Sequence, residues 1–169
     1  YVEQDAVKVC GNRAQDSNWR DVADLAQSLP YPVSSPLARF IGEVRGAELP
    51  KLGLACFESF LTLACYIAYA EFRAVGDRAT TKLFCGFRHR SAGPLWAFLQ
   101  QTLAALGARA RIAREFNKLL EEPYKTEIEH AIDQIANFKH EKESAVNYLR
   151  LFSILGNTTS KVFHGRVFG

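Results

Sequence analysis

The sequence predicts an all-α fold, a single bundle of about six to eight helices. Three observations lead there. Apolar residues recur at helical spacing along most of the chain, while sustained alternation of the kind that builds strand ladders is missing. Proline and glycine fall at the junctions between these periodic stretches. Finally, 48% apolar residues in 169 supply a core of ordinary domain size and exclude a mainly disordered chain. The organisation expected is an irregular N-terminal arm over 1–15 followed by one helical domain over 16–169.

Asp16 or Ser17 suits a cap for a short helix to about Ser28, with Trp19, Val22, Leu25 and Ala26 on one face. Leu29-Pro30-Tyr31-Pro32 ends it, because proline disfavours helix at the residue before it. Ser34 and Ser35 ahead of Pro36 read as the first turn of a second helix, which carries Leu37, Phe40, Ile41 and Val44 and ends near Gly46. Leu52 to Phe72 is the most apolar stretch. Its length would cross a bilayer, but Glu58 lies inside it, Glu48 and Glu71 flank it, and no cationic collar marks either side. It is therefore expected to be a central helix buried nearly all round, with no membrane partner. Glu58, set among Ala55, Phe57, Phe60 and Leu61, is expected to be ion-paired to a neighbouring helix or to mark that helix's one wet edge.

After Gly76-Asp77 a loop or short helix carries Lys82, Arg88, His89 and Arg90. Ser91 to Pro94 opens a helix with Leu95, Phe98, Leu99, Leu103 and Leu106 in register, punctuated by Gly107. Ile112, Phe116, Leu119 and Leu120 mark the next helix, and Ile128, Ile132, Ile135 and Ala136 another. Val146, Leu149, Phe152 and Leu155 mark the last, expected to stop at Gly156-Asn157.

A net charge of +3 does not demand a nucleic-acid partner, so any basic site must come from clustering. Two clusters qualify as ligand-binding candidates: Arg88, His89 and Arg90, and the set Arg111, Arg114 and Lys118, whose spacing puts them on one face of an α-helix. Such a face suits an anion, a nucleotide or an RNA backbone. Glu127, His130 and Asp133 share a helical face but read as ordinary exposed polar residues, so neither metal nor cofactor is expected. No phosphate loop, dinucleotide fingerprint, nucleophile elbow or zinc-protease motif is present. The four cysteines form no CxxC pair; they read as buried free thiols of a reducing compartment, so a cytoplasmic location is expected.

The tail runs Gly156-Asn157-Thr158-Thr159-Ser160-Lys161-Val162-Phe163-His164-Gly165-Arg166. A histidine followed by glycine, after a helix and a polar stretch, resembles the end of HEPN-like helical domains. There an arginine with a polar residue behind it precedes the histidine with four to six residues between them. The resemblance implies an all-α bundle that dimerises. Many members cut RNA without a metal, and others bind nucleotides or assist a partner. It places the family histidine at His164, the polar position at Ser160 and the arginine at Thr159, so the arginine itself is missing; Lys161 and Arg166 are the cations near it. In metal-free RNA cleavage a histidine moves the proton of the ribose 2′-OH while a cation or amide donors stabilise the phosphorane. The expected function is accordingly a HEPN-like module for dimerisation and nucleotide or RNA sensing within a larger bacterial-type protein, with a homodimer or partner protein as its assembly. The alternatives are an endoribonuclease using His164 and a plain protein-interaction bundle.

Overall fold

The computed structural model describes residues 17–43, 46–75, 90–138 and 146–164. Among them are six α-helices and no strand: α1 (Ser17–Ser28), α2 (Tyr31–Gly42), α3 (Leu49–Ala74), α4 (Ala92–Leu106), α5 (Tyr124–Phe138) and α6 (Tyr148–His164). An eight-residue 3-10 helix spans Ala113–Leu120, and single 3-10 turns sit at Gly46–Glu48 and Gly107–Arg109. The all-α bundle expected from the sequence is thus the observed architecture. The proposed arm over 1–15 and the loop with Arg88 and His89 lie outside the described residues.

The α3 helix is the axis of the bundle, about 39 Å long at 1.5 Å per residue. It packs against α2, α4 and α6, and α1 lies against α2 and α6. Its buried stripe includes Cys56, Phe57, Phe60, Leu61, Ala64, Cys65, Ala68 and Phe72. The opposite side exposes Lys51, Ala55, Tyr66, Ala70 and Arg73, so the helix is amphipathic rather than buried all round. It is long and apolar enough to cross a bilayer by length and composition. Lateral packing against three other helices also accounts for its apolar content.

Three boundaries differ from expectation for local reasons; α2 ends at Gly42 rather than near Gly46, because Glu43 is extended. The α2 helix begins at Tyr31, three residues before Ser34. Pro30 adopts an extended conformation, and its carbonyl accepts from the N–H groups of Val33 and Ser34, each at 3.0 Å. Pro32 then falls within the first turn, where a missing N–H is harmless, and Pro36 is absorbed inside the helix. The α6 helix does not stop at Gly156 but continues to His164. Gly156 lacks the positive φ of a helix-ending glycine, which among the described residues only Gly107 has. It is small because Leu25 of α1 lies against it, with Leu25 Cδ1 at 3.1 Å from where a Cβ would stand. Beyond it, Thr158 and Thr159 continue the buried stripe of Leu151 and Leu155 to Val162, and Thr158 Oγ1 donates to the Ile154 carbonyl at 3.0 Å.

Where α2, α3 and α6 meet, aromatic rings fill the core. Phe152 packs edge-on to Phe40 with ring centres 5.1 Å apart, and is stacked with Tyr148 at 5.8 Å and with Phe60 at 5.9 Å. Trp19 of α1 closes this cluster from outside, 6.0 Å from Phe40. Aromatic pairs in these geometries add roughly 0.5–1.5 kcal/mol each beyond the area they bury. Burial, and secondarily the charge of Glu58, pushes the Tyr148 phenol well above its ordinary range.

Candidate anion-binding face

The 3-10 helix at Ala113–Leu120 carries Arg114 and Lys118, with Arg111 just before it, and a buried carboxylate sets its position. Glu71, on the inward side of α3, is only 8% exposed. Its oxygens accept from three successive backbone N–H groups: Arg111 N–H, Ile112 N–H at 3.0 and 3.1 Å, and Ala113 N–H at 2.6 Å. These are donors that a helix start leaves without intrahelical partners, and a carboxylate there also complements the helix dipole. Glu71 thereby fixes where the segment leaves the core. The sequence reading singled out Glu58, as ion-paired to a neighbouring helix or as the wet edge of α3; it is half-buried, and the buried carboxylate is Glu71. The detectable signal was register: Glu71 falls three residues after Ala68 on the stripe of Phe57, Leu61 and Ala64.

Three residues per turn then decide which side chains face out. Ala113, Phe116 and Leu119 stack on one edge and are all buried. Arg114 shares a second edge with Asn117, and Lys118 shares the third with Glu115. Arg111 precedes the helix, its N–H held by Glu71. Arg111, Arg114 and Lys118 are all exposed, but they flank the buried edge on two sides instead of lining one α-helical face. The sequence expectation of a single basic face is corrected on this point, because the 3.6-residue period on which it rests does not apply. None of the three is in an ion pair or side-chain hydrogen bond with any described residue. Arg109, just upstream, turns back to the end of α4, with Nη2 donating to the Ala105 carbonyl at 2.7 Å and Nε to Leu106 at 3.4 Å.

The remaining candidates are dispersed. Arg90 is exposed beside Ser91, the residue preceding α4. Lys161 and His164 are exposed in the last turn of α6, the helical end where cations complement the dipole. Thr159, where the resemblance of the tail would put an arginine, is buried in the same helix. Arg166 lies outside the described residues, as do Arg88 and His89. Glu127 is engaged by Arg150, with Nε and Nη2 donating to its two oxygens at 2.9 and 3.1 Å, a forked pair that ties α5 to α6. Glu129 accepts from Trp96 Nε1 at 3.3 Å and Gln100 Nε2 at 3.2 Å, tying α5 to α4. Among the described residues no group of three His, Cys, Asp or Glu is placed to hold a metal ion.

Cys56 and Cys65 are buried free thiols nine residues apart on α3, too far along the helix to pair. Burial pushes the Cys65 thiol up to about 12, a backbone interaction with Leu99 offsetting part of this. The thiol donates to the Leu95 carbonyl at 3.2 Å.

Away from this face, α1 and α2 border an open groove of about 710 Å³, lined by Ala23, Ala26, Tyr31, Ser35, Ala38 and Gly42 among others. A smaller recess of about 360 Å³ adjoins it at Arg39 and Gly42 and reaches Glu43 and Glu48.

The described geometry therefore offers exposed cations on an anchored backbone segment, and an open groove elsewhere. No family model matches the chain, and no curated protein or solved structure is significantly similar to it.

Proposed function

We propose that the chain is a binding module whose ligand is a phosphate-rich chain or nucleotide, with RNA as the first candidate. The observation that carries this reading is the set Arg111, Arg114 and Lys118: three exposed cations within eight residues, with no carboxylate of the described residues paired to them. A solvated face of no further use is ordinarily laced with opposite charges. The segment is anchored by Glu71, so these cations project from a fixed base, which lowers the ordering cost of binding. Binding is the role read from this set, since His164, the candidate proton carrier, stands on a different element. The reading agrees with the resemblance of the tail to HEPN-like domains, some of which bind nucleotides without cutting RNA, and with a place inside a larger bacterial-type protein. Its cytoplasmic setting belongs to the same proposal.

Fluorescence anisotropy with a labelled 16-nucleotide single-stranded RNA tests it. Three phosphate contacts give a salt slope of about −2, hence roughly a 20-fold loss of affinity between 50 and 200 mM salt. Replacing Arg111, Arg114 or Lys118 by Gln should each shallow that slope by about 0.7. Competition by ATP distinguishes a nucleotide site from a strand-binding one. Absence of binding at 50 mM salt, or binding unaltered by the triple Gln variant, overturns the proposal. In the same samples, metal-independent cutting abolished by His164→Ala would establish the ribonuclease alternative instead.

A further inference from the structure

The end of α2 and the start of α3 border a recess whose charges are of opposite sign. We infer that this recess binds a free α-amino acid with an aliphatic side chain, held as its zwitterion. Its volume of about 360 Å³ lies within the range of small-molecule pockets, and its described lining is Arg39, Gly42, Glu43, Glu48 and Leu52. The fold gives each charge its place. The α2 helix stops at Gly42 because Glu43 is extended, and Arg39 belongs to its last turn. The 3-10 turn at Gly46–Glu48 then sets Glu48 at the cap position of α3, with Leu52 one turn further in. A cation at a helix C-terminus and a carboxylate at a helix N-terminus are each favoured by the helix dipole, so neither needs the other to stay there.

Arg39 and Glu48 are both exposed, and neither is ion-paired to a described residue. They border one recess without closing on each other. Opposite charges that face a common space and do not meet are complementary to a ligand carrying both signs. An α-amino acid is such a ligand: its carboxylate and ammonium sit on one carbon, and both are charged at neutral pH. The Arg39 guanidinium suits the carboxylate, which it can hold with two parallel N–H groups. Glu48 suits the ammonium, and Glu43, half-buried in the same lining, adds a second negative charge. Two carboxylates disfavour a phosphate or a plain acid, and a plain amine leaves Arg39 unmatched.

Gly42 makes room for the ligand's side chain. A Cβ built there meets nothing within 4 Å, so the rim is open where the recess joins the groove along α1 and α2. Leu52 offers an apolar wall on one side of this opening, and the groove beyond it is lined by Ala26, Ala38 and Ile41. An aliphatic chain passing over Gly42 therefore leaves water for apolar surface. Leu49 and Glu71 lie about 33 Å apart along α3 at 1.5 Å per residue, so this site is distant from the cations around the 3-10 helix. The two proposals stand or fall independently.

Isothermal titration calorimetry of the whole chain with L-leucine tests the inference. Two analogues accompany it: leucinamide, which lacks the carboxylate, and N-acetyl-L-leucine, which lacks the ammonium. The expected result is one-site binding of leucine with a Kd below about 1 mM, and binding of either analogue weaker by about 10-fold or more. Arg39→Gln and Glu48→Gln should each weaken leucine by about 10-fold or more, and Gly42→Leu should block it by filling the rim. All three positions are exposed, so thermal melting separates a lost site from a lost fold. No leucine binding up to about 10 mM overturns the inference. Binding indifferent to both Gln variants overturns it as well, by placing the ligand elsewhere. Equal affinity for leucine and either analogue rejects the zwitterion.

Discussion

Gly53 and Gly42 are both helical glycines without positive φ, yet they mark opposite kinds of surface. At Gly53 of α3 an added Cβ would stand 2.6 Å from Tyr148 Cδ2, because the α6 ring lies directly on the α3 backbone. At Gly42 of α2 the same atom would stand in open space. One glycine closes the core; the other leaves a face unfilled. The lesson is that the residue type alone says only that a side chain is absent, while the neighbouring element says what took its place. The same contrast separates the two faces of α2, one sealed by Phe40 and the other ending on an exposed Tyr31.

The largest expected effect is on the sealed side. Phe152 is fully buried among Phe40, Phe60 and Tyr148, so Phe152→Ala should cost about 3–5 kcal/mol in denaturant unfolding. A loss under about 1 kcal/mol would mean that the aromatic cluster is not packed as described. The two glycines sharpen the comparison at smaller scale. Gly53→Ala should displace Tyr148 at a cost of about 1–3 kcal/mol, offset in part by roughly 1 kcal/mol of better helix propensity. Gly42→Ala, at the open end of α2, should leave stability unchanged or raise it by up to about 1 kcal/mol through better helix propensity. Equal effects at the two sites would dissolve the distinction drawn between them.

The smallest effect at neutral pH comes from the buried thiol. The Cys65 pKa is raised in the folded chain from 9.0 to about 12, so both states hold the proton below pH 9. Between pH 9 and 12 the unfolded chain ionises and the folded chain does not, which favours unfolding. The contribution of this thiol is therefore flat up to about pH 9 and declines toward pH 12, and Cys65→Ala should make the overall decline in that range shallower. A decline identical in the variant would assign it wholly to other groups, Cys56 and Tyr148 among them, which burial shifts in the same sense.

Much of the architecture is legible in the chain. The helices at 17–28, 92–106 and 124–138 follow from apolar spacing and punctuation, because there the local pattern and the tertiary burial agree. Legibility fails where a polar or small residue does apolar work. Thr158 and Thr159 face the core at the end of α6, so the stripe looks finished at Leu155 when it runs to Val162. Gly156 looks like a stop when it is a contact point for Leu25. The basic candidates were visible as residues but not as an arrangement, since Arg111, Arg114 and Lys118 share an α-helical face only if the segment is α-helical. Glu71 was visible only to a reading of register, because its hydrogen-bond partners lie forty to forty-two residues further along the chain.

The sequence by itself determined the all-α class, the order of the helices and the identity of most core residues. These depend on hydrophobic periodicity and on proline and glycine at junctions, which act within one or two turns of the chain. Only the tertiary structure decided that a carboxylate from α3 starts the 3-10 helix, that Tyr148 rests on Gly53, and that α2 keeps one face unfilled. Each of these joins residues distant in sequence, and the free energy of such a contact depends on what the opposing element presents, which no local pattern encodes.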